Sequence, residues 1–295
     1  MNLSTPLIAA SGTFGYGDEH KGLCDLDCLG AIAAKGISLL PRIGNLPPRI
    51  HETPSGLLNA IGLENVGVEA FLEDKLPFLA KARPACIVNI LGESFDEYAQ
   101  LSSRLDGIPG IDMLEVNVSC PNVEEGGLSF GVDPDLVAKV TKTVKSATAL
   151  PVMLKLTPMA GAKLAETALA AQEAGADAIS LINTIGAMEI DIERKRPVLG
   201  NVSGGLSGPA IRPVALKMVF DVASMVDIPV VGIGGITSAR DVIAFLLAGA
   251  SAVQVGTGLL IDPDLPCTML DGIEDYMDRH GIARLSDITG ALELP

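Results

Sequence analysis

The sequence predicts an α/β protein folded as a (β/α)8 TIM barrel, in which eight parallel strands alternate with helices. Eight short apolar runs can be counted along the chain, and amphipathic stretches of helical period separate most of them. The chain has 295 residues, of which 48% are hydrophobic, and a barrel takes about 250 residues plus insertions. We therefore expect one barrel domain over residues 1–295.

Each predicted strand is a short apolar run bounded by turn-forming or polar residues. The eight runs are Pro6–Ala10, Ala31–Ala34, Cys86–Ile90, Met113–Val116, Val152–Leu156, Ala178–Ile182, Val230–Ile233 and Ala252–Val255. The helical patterns between them are Val68–Lys81, Ser94–Leu105, Asp133–Thr148, Ala162–Ala174, Ala210–Met225 and Ser238–Leu247.

Two long segments break this alternation, Ser38–Val66 after the second strand and Asn183–Pro209 after the sixth. Both follow strand ends, where barrel enzymes keep their catalytic loops, so both are expected to lie over the catalytic face. Local signals mark helix starts: Ser94 with Glu97 forms a capping box, and Asp133 is an N-cap residue before a proline.

Charge and hydropathy exclude several classes of protein. The 21 basic and 36 acidic residues give a net charge of −15, which argues against nucleic acid because such binding needs Lys and Arg to neutralise phosphates. The first residues lack a basic segment followed by an apolar one, so no secretory signal is expected. The uncharged stretch Val242–Ile261 is broken by glycines and polar residues, which favours helix, turn and strand over a membrane span. We expect a cytoplasmic protein.

The five cysteines are Cys24, Cys28, Cys86, Cys120 and Cys267. A large chain with an ample core needs no disulfide framework, and the odd number suits a reducing compartment. Cys24 and Cys28 lie close in sequence, but no second Cys/His pair completes a zinc site and no dense cluster supplies iron-sulfur ligands. Both are expected to be ordinary thiols, and no metal site is expected.

Glycine clusters follow the last two strands, at Gly232–Gly235 and Val255–Gly258. Either cluster alone is typical of a tight turn. Together, after the seventh and eighth strands, they indicate the phosphate site that barrels often build there from loop amides. A phosphorylated cofactor is the expected ligand.

Two lysines occupy strand ends that should be buried. Lys155 lies inside the apolar run Val152–Leu156, and Lys35 directly follows the second strand. A buried ammonium is costly without a negative partner, so a snorkelling lysine or a structural ion pair is the alternative to a functional cation. The functional interpretation is electrostatic stabilisation of an anion.

Loop and strand-end residues offer neutral donors and acceptors that suit an amide-rich ring. They are Asn59, Asn117, Asn122, Asn183 and Thr184. Any one of the asparagines could instead be a turn former.

Cys120 is the candidate catalytic residue. The run Ile111–Val116 predicts a buried strand and Pro121 forces an exit into a loop, so Cys120 should lie just past a strand's C-terminal end. The alternative is a buried apolar thiol. A polar loop between asparagines favours a reactive one, able to act as a base.

The segment that contains Cys120 also resembles a known family. Residues 117–123 and 124–131 are similar to the active-site loop of class 1B dihydroorotate dehydrogenases, the FMN-containing catalytic subunits of pyrimidine biosynthesis. The match continues through Ala10–Gly15, Ala34–Ile37, Pro41–Arg49, Leu58–Leu63, Gly204–Ile211 and Val255–Thr257. Members usually begin with a hairpin that plugs the lower mouth of the barrel, whereas the first strand here is predicted almost at Met1, so another element should cover that end unless the start is truncated.

The resemblance implies oxidation of (S)-dihydroorotate to orotate, with Cys120 as the general base at C5 and FMN as the hydride acceptor from C6. The cofactor-binding residues that it implies are Ser11, Lys35, Gly36, Asn89, Asn117, Lys155, Ile182, Gly208, Gly234, Gly235, Gly256 and Thr257. The substrate-binding residues are Lys35, Asn59, Ala60, Ile61, Gly62, Leu63, Asn117, Asn122, Asn183 and Thr184.

The resemblance further implies a partner subunit that carries FAD and a 2Fe-2S cluster and passes electrons to NAD+, in a heterotetramer built on a homodimeric core. The chain itself has neither a dinucleotide fingerprint nor a cluster-ligand array. Three alternatives remain: a class 1A-like enzyme that reduces fumarate, an FMN-dependent reductase of another pyrimidine, and a flavin-binding interaction subunit without turnover. No nucleic-acid or membrane partner is expected.

Overall fold

A computed structural model describes residues 1–119, 121–122 and 128–295. Its centre is a closed barrel of eight parallel strands, in which each strand pairs with its neighbours in sequence and the last pairs with the first. The strands are β1 Leu7–Ala9, β2 Ala31–Ile37, β3 Ala85–Ile90, β4 Met113–Asn117, β5 Val152–Lys155, β6 Ala178–Leu181, β7 Val230–Ile233 and β8 Ala252–Val255. All eight predicted strands are confirmed, and β2 extends three residues beyond its prediction.

Helices lie at each of the six predicted places, and two further helices follow the last strand. They are α1 Gly67–Ala70, α2 Leu76–Leu79, α3 Phe95–Leu105, α4 Pro134–Ala147, α5 Leu164–Glu173, α6 Arg212–Ala223, α7 Ala239–Leu247, α8 Thr257–Ile261 and α9 Leu265–His280. A π-helical segment, Phe71–Lys75, joins α1 to α2. Short 3-10 helices are Asp18–His20, Leu26–Cys28, Phe130–Val132, Pro158–Lys163, Pro209–Ile211 and Leu285–Asp287. Within the described ranges, no helix is both long and apolar enough to cross a membrane.

The capping residues named from the sequence start their helices. The Ser94 hydroxyl accepts a hydrogen bond from the Glu97 amide at 3.1 Å, and the Glu97 carboxylate accepts one from the Glu93 amide at 2.7 Å. In a standard capping box the Glu97 carboxylate would accept from the amide of the N-cap residue, Ser94. Here it accepts from the amide one residue earlier, that of Glu93. Asp133 accepts hydrogen bonds from two amides in the first turn of α4.

The two long insertions fold against each other. Strands Ile50–Thr53 and Gly56–Asn59 of the first insertion join Ile185–Ala187 and Gly204–Ser207 of the second in one antiparallel four-stranded sheet. Strands Ile190–Asp191 and Arg196–Pro197 form a small hairpin. Since the insertions leave the C-terminal ends of β2 and β6, this sheet stands at the predicted face. In the connection after β4, the backbones of Pro121–Asn122 and Leu128–Ser129 pair as short antiparallel strands.

The inside of the barrel changes from apolar to polar along the strands. One buried layer is apolar and consists of Ile8, Ala31, Ala33, Ile87, Met113, Met153, Ala178, Val231 and Ala252, with Leu3 packed against it. Because alternate residues of a strand face the same side, the inward residues two positions further on include the polar side chains of Asn89, Glu115, Lys155, Ser180 and Gln254, all buried. A buried polar layer therefore lies between the apolar layer and the C-terminal ends of the strands.

The expectation about the cysteines is wrong for Cys28. It forms a disulfide with Cys267, in the first turn of α9, across a sequence separation of 239 residues. Sequence spacing cannot reveal a pairing over such a distance, because the fold alone brings the two segments together. Cys24 and Cys86 are free thiols, and burial raises the pKa of Cys86 to about 12.

Candidate active site

The residues singled out by the sequence gather at the C-terminal ends of the barrel strands. Lys35 and Gly36 belong to β2, Asn89 to β3, Asn117 to β4 and Lys155 to β5. Ser11 follows β1, Ile182 to Thr184 follow β6, Gly234 and Gly235 follow β7, and Gly256 and Thr257 follow β8. Parallel strands end at one rim of the barrel, so these positions line a common face.

Lys155 forms a buried ion pair with Glu115 of the polar layer. Its ammonium lies 3.8 Å from a Glu115 carboxylate oxygen, and the two side chains are 8% and 0% exposed. The distance makes an ion pair without a hydrogen bond. Within the part of the chain that the structure describes, the Lys155 ammonium donates no hydrogen bond, so its donors remain available to a ligand.

Asn117 and Asn183 form a hydrogen-bonded cluster between β4 and β6. The Asn183 amide donates to Asn117 Oδ1 at 3.2 Å and to Ser119 Oγ at 2.8 Å. Asn117 Oδ1 also accepts from the Ser119 amide, and the Tyr98 hydroxyl donates to the Asn117 carbonyl at 2.7 Å. This cluster fixes the backbone immediately before Cys120, a candidate that lies outside the described residues.

Asn59 and Thr184 both approach Gly205, on the strand Gly204–Ser207 of the insertion sheet. The Asn59 amide donates to the Gly205 carbonyl at 3.3 Å. A methyl group on Gly205 would lie 2.1 Å from Thr184 Oγ1, so only glycine allows the threonine so close. Two predicted ring-binding side chains from different insertions are therefore neighbours. For Asn122, only the backbone pairing is described.

The loop Ala60–Leu63 has a backbone that its neighbours enforce. Both Gly62 and Leu63 have positive φ, 77° and 59°, which is unusual for a leucine. Buried Asn65 donates to the Leu63 carbonyl at 2.9 Å and accepts from the Ser38 and Gly67 amides at 3.2 and 2.9 Å. Strained backbone held in this way is typical of ligand sites.

The glycine loops meet at Gly208. A methyl group on Gly235 would lie 2.7 Å from the Gly208 carbonyl oxygen. A methyl group on Gly208 would lie 3.5 Å from Thr257 Cγ2. The Thr257 hydroxyl donates to Ser207 Oγ at 2.8 Å. The connections that follow β6, β7 and β8 therefore meet at glycine backbone, which carries no side chains. Such a place suits a phosphate group, because phosphate binds to backbone amides.

Replacing Gly235 with alanine should destabilise the protein more than replacing Gly107. Both have positive φ, 69° and 67°, but a methyl group on Gly107 meets nothing within 4 Å. Gly107→Ala should cost only the backbone strain, about 1–2 kcal/mol. At Gly235 the methyl meets backbone atoms of Gly208 and Arg212 at 2.7 and 2.9 Å, which should add about 1–3 kcal/mol. Urea unfolding measures both, and equal losses would contradict the close approach of the two loops.

Lys35 is a half-buried cation that has no counterion among the described residues. Its amide donates to the Gly15 carbonyl at 2.8 Å. Its ammonium makes no ion pair or hydrogen bond with any residue in the described ranges. Gly36 has to be small, because a methyl there would lie 2.7 Å from Asn89 Oδ1. A cation at the catalytic face that is unpaired in the described ranges suits an anionic ligand.

Sequence reasoning missed several residues of this site. Glu115, Ser180 and Gln254 form the polar layer, and Ser207 and Asn65 support the loops. One signal was present: Glu115 is a charge inside an apolar strand, which is the pattern that identified Lys155. The roles of Ser207 and Asn65 depend on contacts between distant segments, which no local pattern indicates.

Comparison with known proteins places these features in context. The family model described as dihydroorotate dehydrogenase matches residues 1–277. A protein of Pelobacter propionicus is 52% identical over 293 residues, 99% of this chain and 96% of the relative, and one of Trichlorobacter lovleyi is equally similar. One of Desulforudis audaxviator is 51% identical over 291 residues, 99% of this chain and 94% of its own. Each is named dihydroorotate dehydrogenase B (NAD(+)), catalytic subunit.

A solved structure is similar in fold. It is the dihydroorotate dehydrogenase of Eimeria tenella in complex with ferulenol, with a TM-score of 0.80 over 99% of this chain and 86% of that one. The sequence identity is 22%, so the likeness concerns the barrel alone. It confirms the predicted fold class.

Proposed function

Because the chain belongs to the dihydroorotate dehydrogenase family, we propose that it oxidises (S)-dihydroorotate to orotate in de novo pyrimidine biosynthesis. The observation that carries this proposal is the 52% identity, over 99% of the chain, to a catalytic subunit of that name. The polar face built by Lys35, Lys155 and the Asn117–Asn183 pair supports it, because orotate offers a carboxylate and a ring with amide edges.

The cofactor in this proposal is FMN, and the described residues fit it. At the convergence of Gly208, Gly235 and Thr257 the glycines carry no side chain that would keep a phosphate from the backbone amides. The Lys155 ammonium, free of hydrogen bonds in the described chain and paired only at 3.8 Å, suits a ring that becomes negatively charged on reduction. FMN supplies the two-electron acceptor that no side chain provides. Ser11, Gly36, Asn89, Ile182, Gly234 and Gly256 complete the proposed contacts.

Substrate binding is assigned to the cation and to the amides around it. Lys35 pairs with the substrate carboxylate, assisted by the backbone amides of Gly62 and Leu63. Asn59, Asn117, Asn122, Asn183 and Thr184 bind the amide edges of the ring, and Ala60 and Ile61 complete the loop. The support is that the fold brings Asn117 to Asn183, and Asn59 and Thr184 to Gly205.

Cys120 is the proposed general base, which takes the proton from C5 of the substrate while the electrons of the C6–H bond leave as a hydride. The sequence motif and the family support this role. The Asn183 amide donates to Ser119 Oγ, so the residue before Cys120 is hydrogen-bonded to the proposed substrate-binding set.

Electrons are proposed to leave through a partner subunit with FAD and a 2Fe-2S cluster and to reach NAD+, in a heterotetramer with two of these chains at its centre. The names of the relatives, which include NAD(+) and the words catalytic subunit, support this acceptor. The proposed compartment is the cytoplasm, where the disulfide state of Cys28 and Cys267 would be unusual. Thiol alkylation of freshly lysed cells, followed by mass spectrometry, measures that state.

The acceptor is tested by assaying the purified chain, alone and with the proposed electron-transfer subunit, with dihydroorotate and either NAD+ or fumarate. NAD+ reduction only in the presence of the partner is the expected result. Brisk fumarate reduction by the chain alone would identify a self-sufficient enzyme instead. NAD+ reduction without a partner would remove the need for one.

A further inference from the structure

Glu115 lies at the centre of the polar layer and contacts four strands besides its own β4. Its Oε1 accepts hydrogen bonds from Ser180 on β6, at 2.8 Å, and from the side-chain amide of Gln254 on β8. Its Oε2 accepts from the Asn89 amide on β3 at 2.6 Å and lies 3.8 Å from Lys155 Nζ on β5. The glutamate is fully buried.

These partners favour an ionised carboxylate. Each of the three hydrogen bonds runs from a neutral donor to a Glu115 oxygen, and the fourth neighbour is an ammonium. A buried charge is tolerated only when it is paired and hydrogen-bonded, and both conditions hold here. Removing one partner of such a pair leaves the other charge uncompensated.

We infer that Glu115 is a positioning residue whose hydrogen bonds and negative charge hold Asn89 and Lys155 at the proposed flavin site, and that its charge would lower the reduction potential of a bound flavin. The inference rests on the proposed FMN site. Lys155 favours added negative charge on the ring, and Glu115 at 3.8 Å offsets part of that effect. A barrel without the Glu115 charge would therefore hold its flavin as a stronger oxidant.

The test compares Glu115→Gln with the wild-type protein, both loaded with FMN. Glutamine keeps the shape and removes the charge, and Asn89 can reverse its amide to accept from it. The midpoint potential of the bound flavin, measured by dye-linked titration, should rise by about 30 mV or more, equivalent to a tenfold change in a two-electron equilibrium.

Two matched variants separate charge from packing. Ser180→Ala removes one hydrogen bond to Glu115 and leaves the charge, and Glu115→Asp keeps the charge on a shorter side chain. Each of these variants should change the midpoint potential by less than half of the change that Glu115→Gln produces. If Ser180→Ala and Glu115→Gln shift the potential equally, or if neither does, Glu115 does not act through its charge and the inference is wrong.

A folding failure is also informative. If Glu115→Gln does not fold, the double variant Glu115→Gln with Lys155→Gln removes the pair as a unit, which proteins tolerate better than a broken pair. A folded double variant, by circular dichroism, supports the compensation of Lys155 by Glu115. If neither variant folds while Ser180→Ala does, Glu115 is a folding residue only. A wild-type protein that binds no FMN would instead fail the proposed function.

Discussion

Cys120→Ala should keep its flavin and lose about 10²–10⁴-fold in the rate of dihydroorotate oxidation, the typical contribution of general acid–base catalysis. Alanine removes the thiol that accepts the C5 proton and leaves the groups that bind the ring and its carboxylate. Flavin content and substrate affinity should therefore stay close to wild type. The measurement is the rate of anaerobic flavin reduction at saturating dihydroorotate in a stopped-flow instrument.

Cys24→Ser is the matched control for Cys120→Ala. Cys24 is a free thiol, partly exposed, and burial raises its pKa. It lies in the segment before β2, away from the proposed contacts, so this variant should reduce its flavin at the wild-type rate. An unchanged rate in Cys120→Ala would remove the thiol from the mechanism, and an equal loss in both variants would point to a general loss of structure.

Lys35→Ala should weaken the binding of orotate by about 10- to 100-fold, since hydrogen bonds to charged groups contribute about 1.5–3 kcal/mol and about 1.4 kcal/mol corresponds to tenfold. The physical reason is that Lys35 has no other counterion in the described chain, so its charge is free for the carboxylate. Titration of the bound flavin's absorbance with orotate measures the dissociation constant.

Lys142→Ala controls for the loss of a positive charge. Lys142 is an exposed residue of α4, on the outer ring of helices. Its removal changes the net charge equally and should leave orotate affinity unaltered. If Lys35→Ala binds orotate as tightly as Lys142→Ala does, the carboxylate is recognised elsewhere, and the loop amides of Gly62 and Leu63 are the next residues to test.

The barrel could be predicted because its signals are local. Each strand is an apolar run, and α3 and α4 begin at side-chain caps, so Ser94 and Asp133 identify these helix starts without knowledge of the fold. The helix α9 was not predicted. The signal was present, because Leu265, Met269, Ile273 and Tyr276 recur at helical spacing and pack against the core.

The site could be predicted only in part, for a related reason. Lys155 was found because a charge in an apolar strand is visible in sequence, and Glu115 carried the same signal. The importance of Glu115 depends on partners from four other strands. The pairing of Asn59 with Gly205, 146 residues away, and the Cys28–Cys267 disulfide likewise exist only after folding.

The central claim, that this chain binds a flavin and uses it to oxidise dihydroorotate, is tested most directly by anaerobic titration of the FMN-loaded protein with dihydroorotate. The account predicts that the flavin's visible absorbance bleaches in proportion to the substrate added, with one equivalent per flavin, and that orotate appears in the same amount. A flavin that stays oxidised under dihydroorotate but bleaches with dithionite would contradict it.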